Sequence, residues 1–140
     1  MSSTHVFDMI VVGGGPAGYT AALYAARAGL DTLVLEKLSA GGQMALTEAI
    51  DNYPGYEDGI DGFTLAEKMQ RQAERFGART EYAQVERMDL TADPKVLETS
   101  EGPFAARTVV LATGAGPREL GLAGEKALVV KLTNCSAKAF

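Results

Sequence analysis

Three glycines and one acid carry the clearest chemistry in this sequence. The segment Gly13-Gly14-Gly15-Pro16-Ala17-Gly18 places glycine at its first, third and sixth positions, and Glu36 stands 18 positions after the last of them. In a glycine-rich chain that spacing arises easily by chance, so its surroundings decide its weight. The run Phe7-Asp8-Met9-Ile10-Val11-Val12 ends in β-branched residues and stops at Gly13, and small residues at helical spacing follow from Ala17. At such a strand-to-helix turn each glycine has a reason. Gly13 permits the tight reversal, Gly15 lets a diphosphate approach the backbone, and Gly18 lets the helix lie close to the strand. Free amides and the dipole at the helix start favour negative charge. Glu36, closing the next strand, would accept hydrogen bonds from both hydroxyls of an adenosine ribose and repel a 2′-phosphate. The set therefore points to FAD or NAD rather than NADP. The bland alternative is a tight turn with a surface glutamate.

The elements that must position these residues are legible around them. Ala17, Ala21, Ala25 and Ala28 form one stripe of a helix that Gly29 caps, and Thr32-Leu33-Val34-Leu35-Glu36 reads as a second buried strand. Strand, helix and strand together take about 30 residues, the size of one βαβ unit. From Lys37 to Gly62 glycines and prolines break any period, so we expect a loop with one short helix over 43–49. Leu65, Met69, Ala73 and Phe76 recur at helical spacing within 63–76. Either Thr64 with Glu67 or Asp61 alone caps that helix, and Gly77 ends it. Short alternating segments at 79–82, 85–90, 95–99 and 104–107 suggest a β-meander, followed by a last apolar strand over 108–112. The expected fold class is α/β, a three-layer Rossmann-like FAD/NAD(P)-binding fold carrying a β-meander.

Composition bounds the function. At 140 residues the chain is of single-domain length, with 46% apolar and 22% charged residues. Its 13 basic and 18 acidic side chains leave a net charge of −5, which argues against nucleic acid or an anionic membrane as partner. One cysteine, Cys135, forms neither an internal disulfide nor a Cys-rich metal site. No basic-then-apolar leader and no run long enough to span a bilayer is present, so a cytoplasmic location is expected. His5 is expected in a mobile tail without a catalytic role, Met44, Met69 and Met88 as core filler, and Tyr53 and Tyr56 as packing residues.

Four segments taken in order carry a family resemblance: Gly18-Tyr19-Thr20-Ala21-Ala22 after the glycine turn, Gly41-Gly42-Gln43, Asp51-Asn52-Tyr53-Pro54-Gly55, and Leu111-Ala112-Thr113-Gly114-Ala115. Together they resemble the N-terminal FAD-binding portion of bacterial thioredoxin reductases, within the pyridine nucleotide-disulfide oxidoreductases, over residues 6–124. The resemblance implies FAD as cofactor. It places Gly42, Gln43 and Asn52 near the isoalloxazine, Thr113 and Gly114 beside the cofactor, and Gln84-Val85 against the adenine. The candidate cofactor-binding set is Gly13, Gly15, Pro16, Ala17, Gly18, Glu36, Lys37, Gly42, Gln43, Asn52, Val85, Thr113 and Gly114, with no catalytic or metal-ligating residue.

The same resemblance marks a departure. The reductases carry a second, NADPH-binding domain and a Cys-x-x-Cys pair, whereas this sequence has Cys135 alone, with Lys138 where a second cysteine would stand. One thiol cannot form the disulfide that takes two electrons from a reduced flavin. Residues 1–124 thus read as part of a flavin domain, incomplete relative to the family, and 125–140 as an unaligned tail in which 127–133 forms an added strand. The expected function is that of an FAD-binding oxidoreductase fragment, inactive alone in disulfide reduction and paired as a homodimer or with a full-length reductase subunit. The rivals are a non-catalytic flavin- or nucleotide-binding module and an NAD-binding dehydrogenase fragment.

Overall fold

The structure is a computed structural model describing residues 5–116, together with 118 and 121. The expectations for the tail, including Cys135 and the strand over 127–133, lie outside the described residues. The chain runs through β1 (Val6–Val12), α1 (Pro16–Arg27), β2 (Thr32–Glu36), a short 3-10 turn (Gly42–Leu46), α2 (Gly62–Arg75), β3 (Arg79–Tyr82), β4 (Val85–Asp89), β5 (Lys95–Thr99) and β6 (Gly102–Leu111). Among the described residues these strands form one six-stranded sheet in the order β3-β2-β1-β6-β5-β4. β3, β2, β1 and β6 run parallel, while β6, β5 and β4 form an antiparallel meander.

The parallel strands are apolar because both faces are covered. On one face Val11 and Val34 pack against Tyr19, Ala22 and Ala26 of α1 and Ala73 of α2. On the other, Ile10, Val12, Leu33 and Leu35 meet Leu97 of β5, with Val85 and Phe104 at the margin. The meander therefore supplies the third layer. Leu33, Leu35 and Leu97 are at most 1% exposed, and each such side chain contributes about 1.5–3 kcal/mol of burial.

The helix ends follow local chemistry. Past α1, Gly29 N–H donates to Ala26 O at 2.9 Å and Leu30 N–H to Ala25 O at 3.1 Å; past α2, Gly77 and Ala78 repeat this pattern on Glu74 and Ala73. Both are Schellman stops with glycine at the left-handed position. At the start of α2 the cap is Asp61, whose Oδ1 accepts from Thr64 N–H at 2.8 Å. The Thr64–Glu67 capping box is not used. Hydrogen bonds from Thr64 also hold the Asp61 carboxyl below the usual range.

Several expectations are corrected. β3 is not a meander strand: it follows α2 and joins the parallel edge beside β2, with Thr80 opposite Val34. Four residues of alternating pattern do not specify a pairing partner; the crossover through α2 does. The strands expected at 104–107 and 108–112 are one, β6, whose first half pairs with β5 and whose length from Ala105 pairs with β1. The helix expected over 43–49 is only the 3-10 turn. In α1 the buried face is Gly18, Tyr19, Ala22, Ala25 and Ala26, and Ala17 and Ala28 are exposed. Close contact at Gly18 fixes the helix rotation, so the stripe starts there rather than at Ala17. Met88 is 37% exposed on β4 and does not fill the core, whereas Met69 packs against the helical cluster. His5 is not a loose end. Its Nε2 lies 2.6 Å from Asp31 Oδ2 and its ring meets Phe7 edge-on at 4.6 Å.

Candidate functional site

The C-terminal ends of the parallel strands converge on one cavity of about 940 Å³, at the large end of the range for small-molecule sites. Sheet order makes this the place for it: the chain leaves β1 toward β2 on one side and returns as β6 on the other, leaving a crevice at the switch point. Backbone hydrogen bonds tie the rim together. Gly13 N–H donates to Leu35 O at 2.8 Å, Ala112 N–H to Val12 O at 2.9 Å, Gly41 N–H to Gly14 O at 2.7 Å and Ala83 N–H to Glu36 O at 2.9 Å. Residues distant in sequence are thereby held as one wall.

Two glycines of the turn are needed for steric reasons. Gly13 has φ +106°, and a Cβ there would lie 2.3 Å from Ala112 O; a Cβ on Gly18 would lie 1.8 Å from Gly13 O. Neither position admits a side chain. Gly15 differs, because it lines the cavity and nothing lies within 4 Å of where its Cβ would be. That open space sits at the start of α1, where Gly15 is the N-cap, Pro16 takes the first turn and no acidic side chain offsets the dipole. A diphosphate fits such a cradle.

Glu36 lies at the same rim. Its Oε2 accepts from Gly14 N–H at 2.6 Å and its Oε1 from Lys37 N–H at 2.7 Å. A carboxylate offers about four lone-pair sites, so each oxygen keeps one beyond these bonds. Behind it, Tyr19 of α1 is 2% exposed. Burial pushes its phenol up to about 12, with the nearby Thr80 hydroxyl pulling the other way.

Of the residues expected from sequence, Gly13, Gly15, Pro16, Ala17, Glu36, Lys37, Gly42, Gln43, Val85, Thr113 and Gly114 all line this cavity. Gly18 stands behind it as the contact between helix and strand. Asn52 is not brought to it: it borders a separate hollow of about 460 Å³ formed by residues 51–57. Tyr53 and Tyr56 of that loop face each other at 6.1 Å, consistent with packing. Sequence reading missed Gly14, whose amide orients Glu36, and Met44, which lines the cavity instead of the core. Gly14's place inside the glycine triplet was a usable signal. Nothing local in the sequence marked Met44.

Comparison with known proteins agrees with this architecture. The family model for the pyridine nucleotide-disulphide oxidoreductases matches residues 7–139, and the chain belongs to that family. Within it, the chain is 44% identical over 127 residues to a thioredoxin reductase of Mycolicibacterium smegmatis, covering 91% of this chain and 41% of that protein. It is 42% identical over 128 residues to the thioredoxin reductase of Bacillus subtilis, covering 91% and 40%. Among solved structures, a thioredoxin reductase from Streptococcus pyogenes superposes with a TM-score of 0.80 at 44% identity, over 89% of this chain and 40% of that one. One from Gloeobacter violaceus gives 0.78 at 45%, over 89% and 39%. The chain thus corresponds to an N-terminal portion of a thioredoxin reductase and spans about two fifths of the length of these relatives. No helix among the described residues is long and apolar enough to cross a membrane.

Proposed function

We propose that this chain binds FAD in the cavity at the ends of β1, β2 and β6, as the flavin-binding part of an oxidoreductase of thioredoxin reductase type. The observation that carries the reading is the convergence of an open Gly15 cradle and a fixed Glu36 carboxylate on one cavity. In this reading the backbone of Gly13–Gly15 and the start of α1 hold the diphosphate, and Glu36 accepts from the adenosine ribose. Ala83–Val85 border the adenine, and Gly42, Gln43, Thr113 and Gly114 the flavin side. Bound there, the flavin supplies two-electron hydride chemistry; the chain's own residues hold and orient it. Gln43, with a carbonyl and an amino group, can serve flavin carbonyls and ring N–H alike. Asn52 reaches the flavin only if the loop 51–57 closes over it.

Electrons leaving a flavin here need an acceptor outside this sequence, because Cys135 is its one cysteine. A full-length reductase subunit would supply it, and exposed Leu38 and Leu46, 80% and 79% accessible, offer apolar surface for pairing with such a subunit or with a second copy of this chain. The cytoplasm is the compartment this scheme suits. The test is titration of the 140-residue protein with FAD, followed by flavin fluorescence and visible absorbance. Binding is expected, together with no NADPH-dependent reduction of an aromatic disulfide by the chain alone. In Gly15→Ala, whose extended backbone accepts alanine, the added methyl should weaken FAD by about 1–2 kcal/mol with the melting temperature unchanged. Absence of FAD binding in the parent chain rejects the reading.

A further inference from the structure

Tyr19 is the one buried titratable side chain at this site to which the reading above gives no task. Its ring packs with Val11, Val34 and Ala22 and needs no oxygen for that. Yet the Tyr19 hydroxyl is fully buried without a hydrogen-bond partner among the described residues, and so is Thr80 Oγ1 on β3. A buried hydroxyl left unpaired is destabilising, and phenylalanine would fill the same volume without that cost. Packing alone therefore does not explain the oxygen.

Its surroundings do. A side-chain carbon built on Gly14 would lie 2.9 Å from Glu36 Oε2 and 3.1 Å from the Tyr19 hydroxyl oxygen. Both oxygens thus crowd one point beside the Gly14 backbone without a direct bond between them, and a single water can bridge them. Oε2 has a lone pair beyond the one given to Gly14 N–H. Thr80 approaches from the other side, because β3 pairs with β2 with Thr80 opposite Val34, two residues before Glu36. The absence of a side chain on Gly14 is what lets the Tyr19 hydroxyl and Glu36 come this close.

We propose that Tyr19 is a positioning residue for Glu36: its hydroxyl, backed by Thr80, holds Oε2 from inside the protein through one bridging water and keeps the spare lone pair of Oε1 turned to the cavity. In this arrangement the Tyr19 hydroxyl donates to the water, the water donates to Glu36 Oε2, and a small rotation of Thr80 lets its hydroxyl donate to Tyr19. The consequence is a ribose acceptor that is preorganised before ligand arrives, so less orientational freedom is lost on binding. This rests on the cavity being an adenine-dinucleotide site for its effect on affinity. The hold on Glu36 itself does not depend on any ligand.

The experiment has two readouts on the full 140-residue chain. In the ligand-free protein, amide hydrogen exchange at Gly14 reports the bond to Oε2, and Tyr19→Phe should speed it several-fold while exchange in the middle of α1 stays as before. With FAD as probe, Tyr19→Phe should weaken binding about five-fold, the value of one ordinary hydrogen bond. In a Glu36→Ala background the same change should have no effect. A merely structural tyrosine would give equal losses in both backgrounds. Should Tyr19→Phe fail to fold, Thr80→Val carries the same two readouts, with smaller changes expected. Unchanged exchange at Gly14, or equal losses in both backgrounds, overturns the proposal. A parent chain that binds no FAD while Tyr19→Phe still speeds Gly14 exchange overturns the cavity reading and leaves this one standing.

Discussion

Strand β2 has a carboxylate at each end, and the two are used in opposite ways. Asp31, just before the strand, is spent on cations: Arg79 Nη2 lies 2.5 Å from Oδ1 and His5 Nε2 2.6 Å from Oδ2. Arg79 also stacks over Phe7 at 4.6 Å, and Asp31 N–H donates to Asp8 Oδ2 at 3.0 Å. This end is a clasp between the N-terminal residues, β2 and β3. Glu36, at the other end, accepts hydrogen bonds from two backbone N–H groups and faces a cavity, with no cation paired to it among the described residues. Side-chain cations occupy a carboxylate from outside, whereas backbone donors fix its orientation and leave lone pairs for a ligand. Two acids five residues apart are thus held by opposite means, the first closed by cations and the second left open for the ligand proposed above.

The sharpest way to break this contrast is to disturb the turn that Glu36 depends on. Gly18→Ala puts a methyl against the Gly13 carbonyl, which is backbone and cannot step aside. We expect a loss of about 3 kcal/mol or more in urea unfolding and no measurable FAD binding. Glu36→Ala should act on the ligand instead. Loss of charge-assisted hydrogen bonds to the ribose should weaken FAD by about 1.5–3 kcal/mol in fluorescence titration, with a smaller loss of about 1 kcal/mol in unfolding because Gly14 N–H loses its acceptor. If it destabilised the fold as much as it weakened binding, the two ends of β2 would not differ as argued.

Asp31→Asn should do the reverse at a smaller scale. Its partners are exposed, so we expect only about 0.5–1 kcal/mol lost at neutral pH, with FAD affinity retained. Burial works against the Asp31 carboxyl, yet hydrogen bonds from Arg79 and His5 hold it below the usual carboxylate range. Its stabilisation is therefore fully present above the unfolded value of about 3.9 and fades as pH falls through the lower folded value. Urea melts of parent and variant should differ near neutrality and converge in acid. A gap that stays constant down to the lowest pH would remove the ion pairs from the explanation.

Much of the site was legible because it is written locally. Positive φ at Gly13, contact at Gly18, the β-branched strands and the glycines after both helices are each set by a residue and its near neighbours. That is why the glycine turn, its strand and helix, and Glu36 could be placed together from spacing alone. The second bank of the cavity was harder. Gln43, Val85 and Thr113 were placed by family resemblance, since no period or cap in their own segments says that they meet. Asn52 shows the limit, for its loop closes on itself through the Ile50–Ile60 bridge and carries it to a different hollow.

The amino-acid sequence by itself determined the strand–turn–helix–strand unit and the acid at its end, because steric and periodic constraints act within a few residues. Tertiary structure alone decided that β3 joins the parallel edge, that β6 is one strand shared by both halves of the sheet, and that the buried face of α1 begins at Gly18. It also decided that the Tyr19 hydroxyl comes to lie beside Gly14 and Glu36. Those outcomes depend on which distant surfaces bury one another, and burial is summed over the whole chain rather than encoded in any one segment.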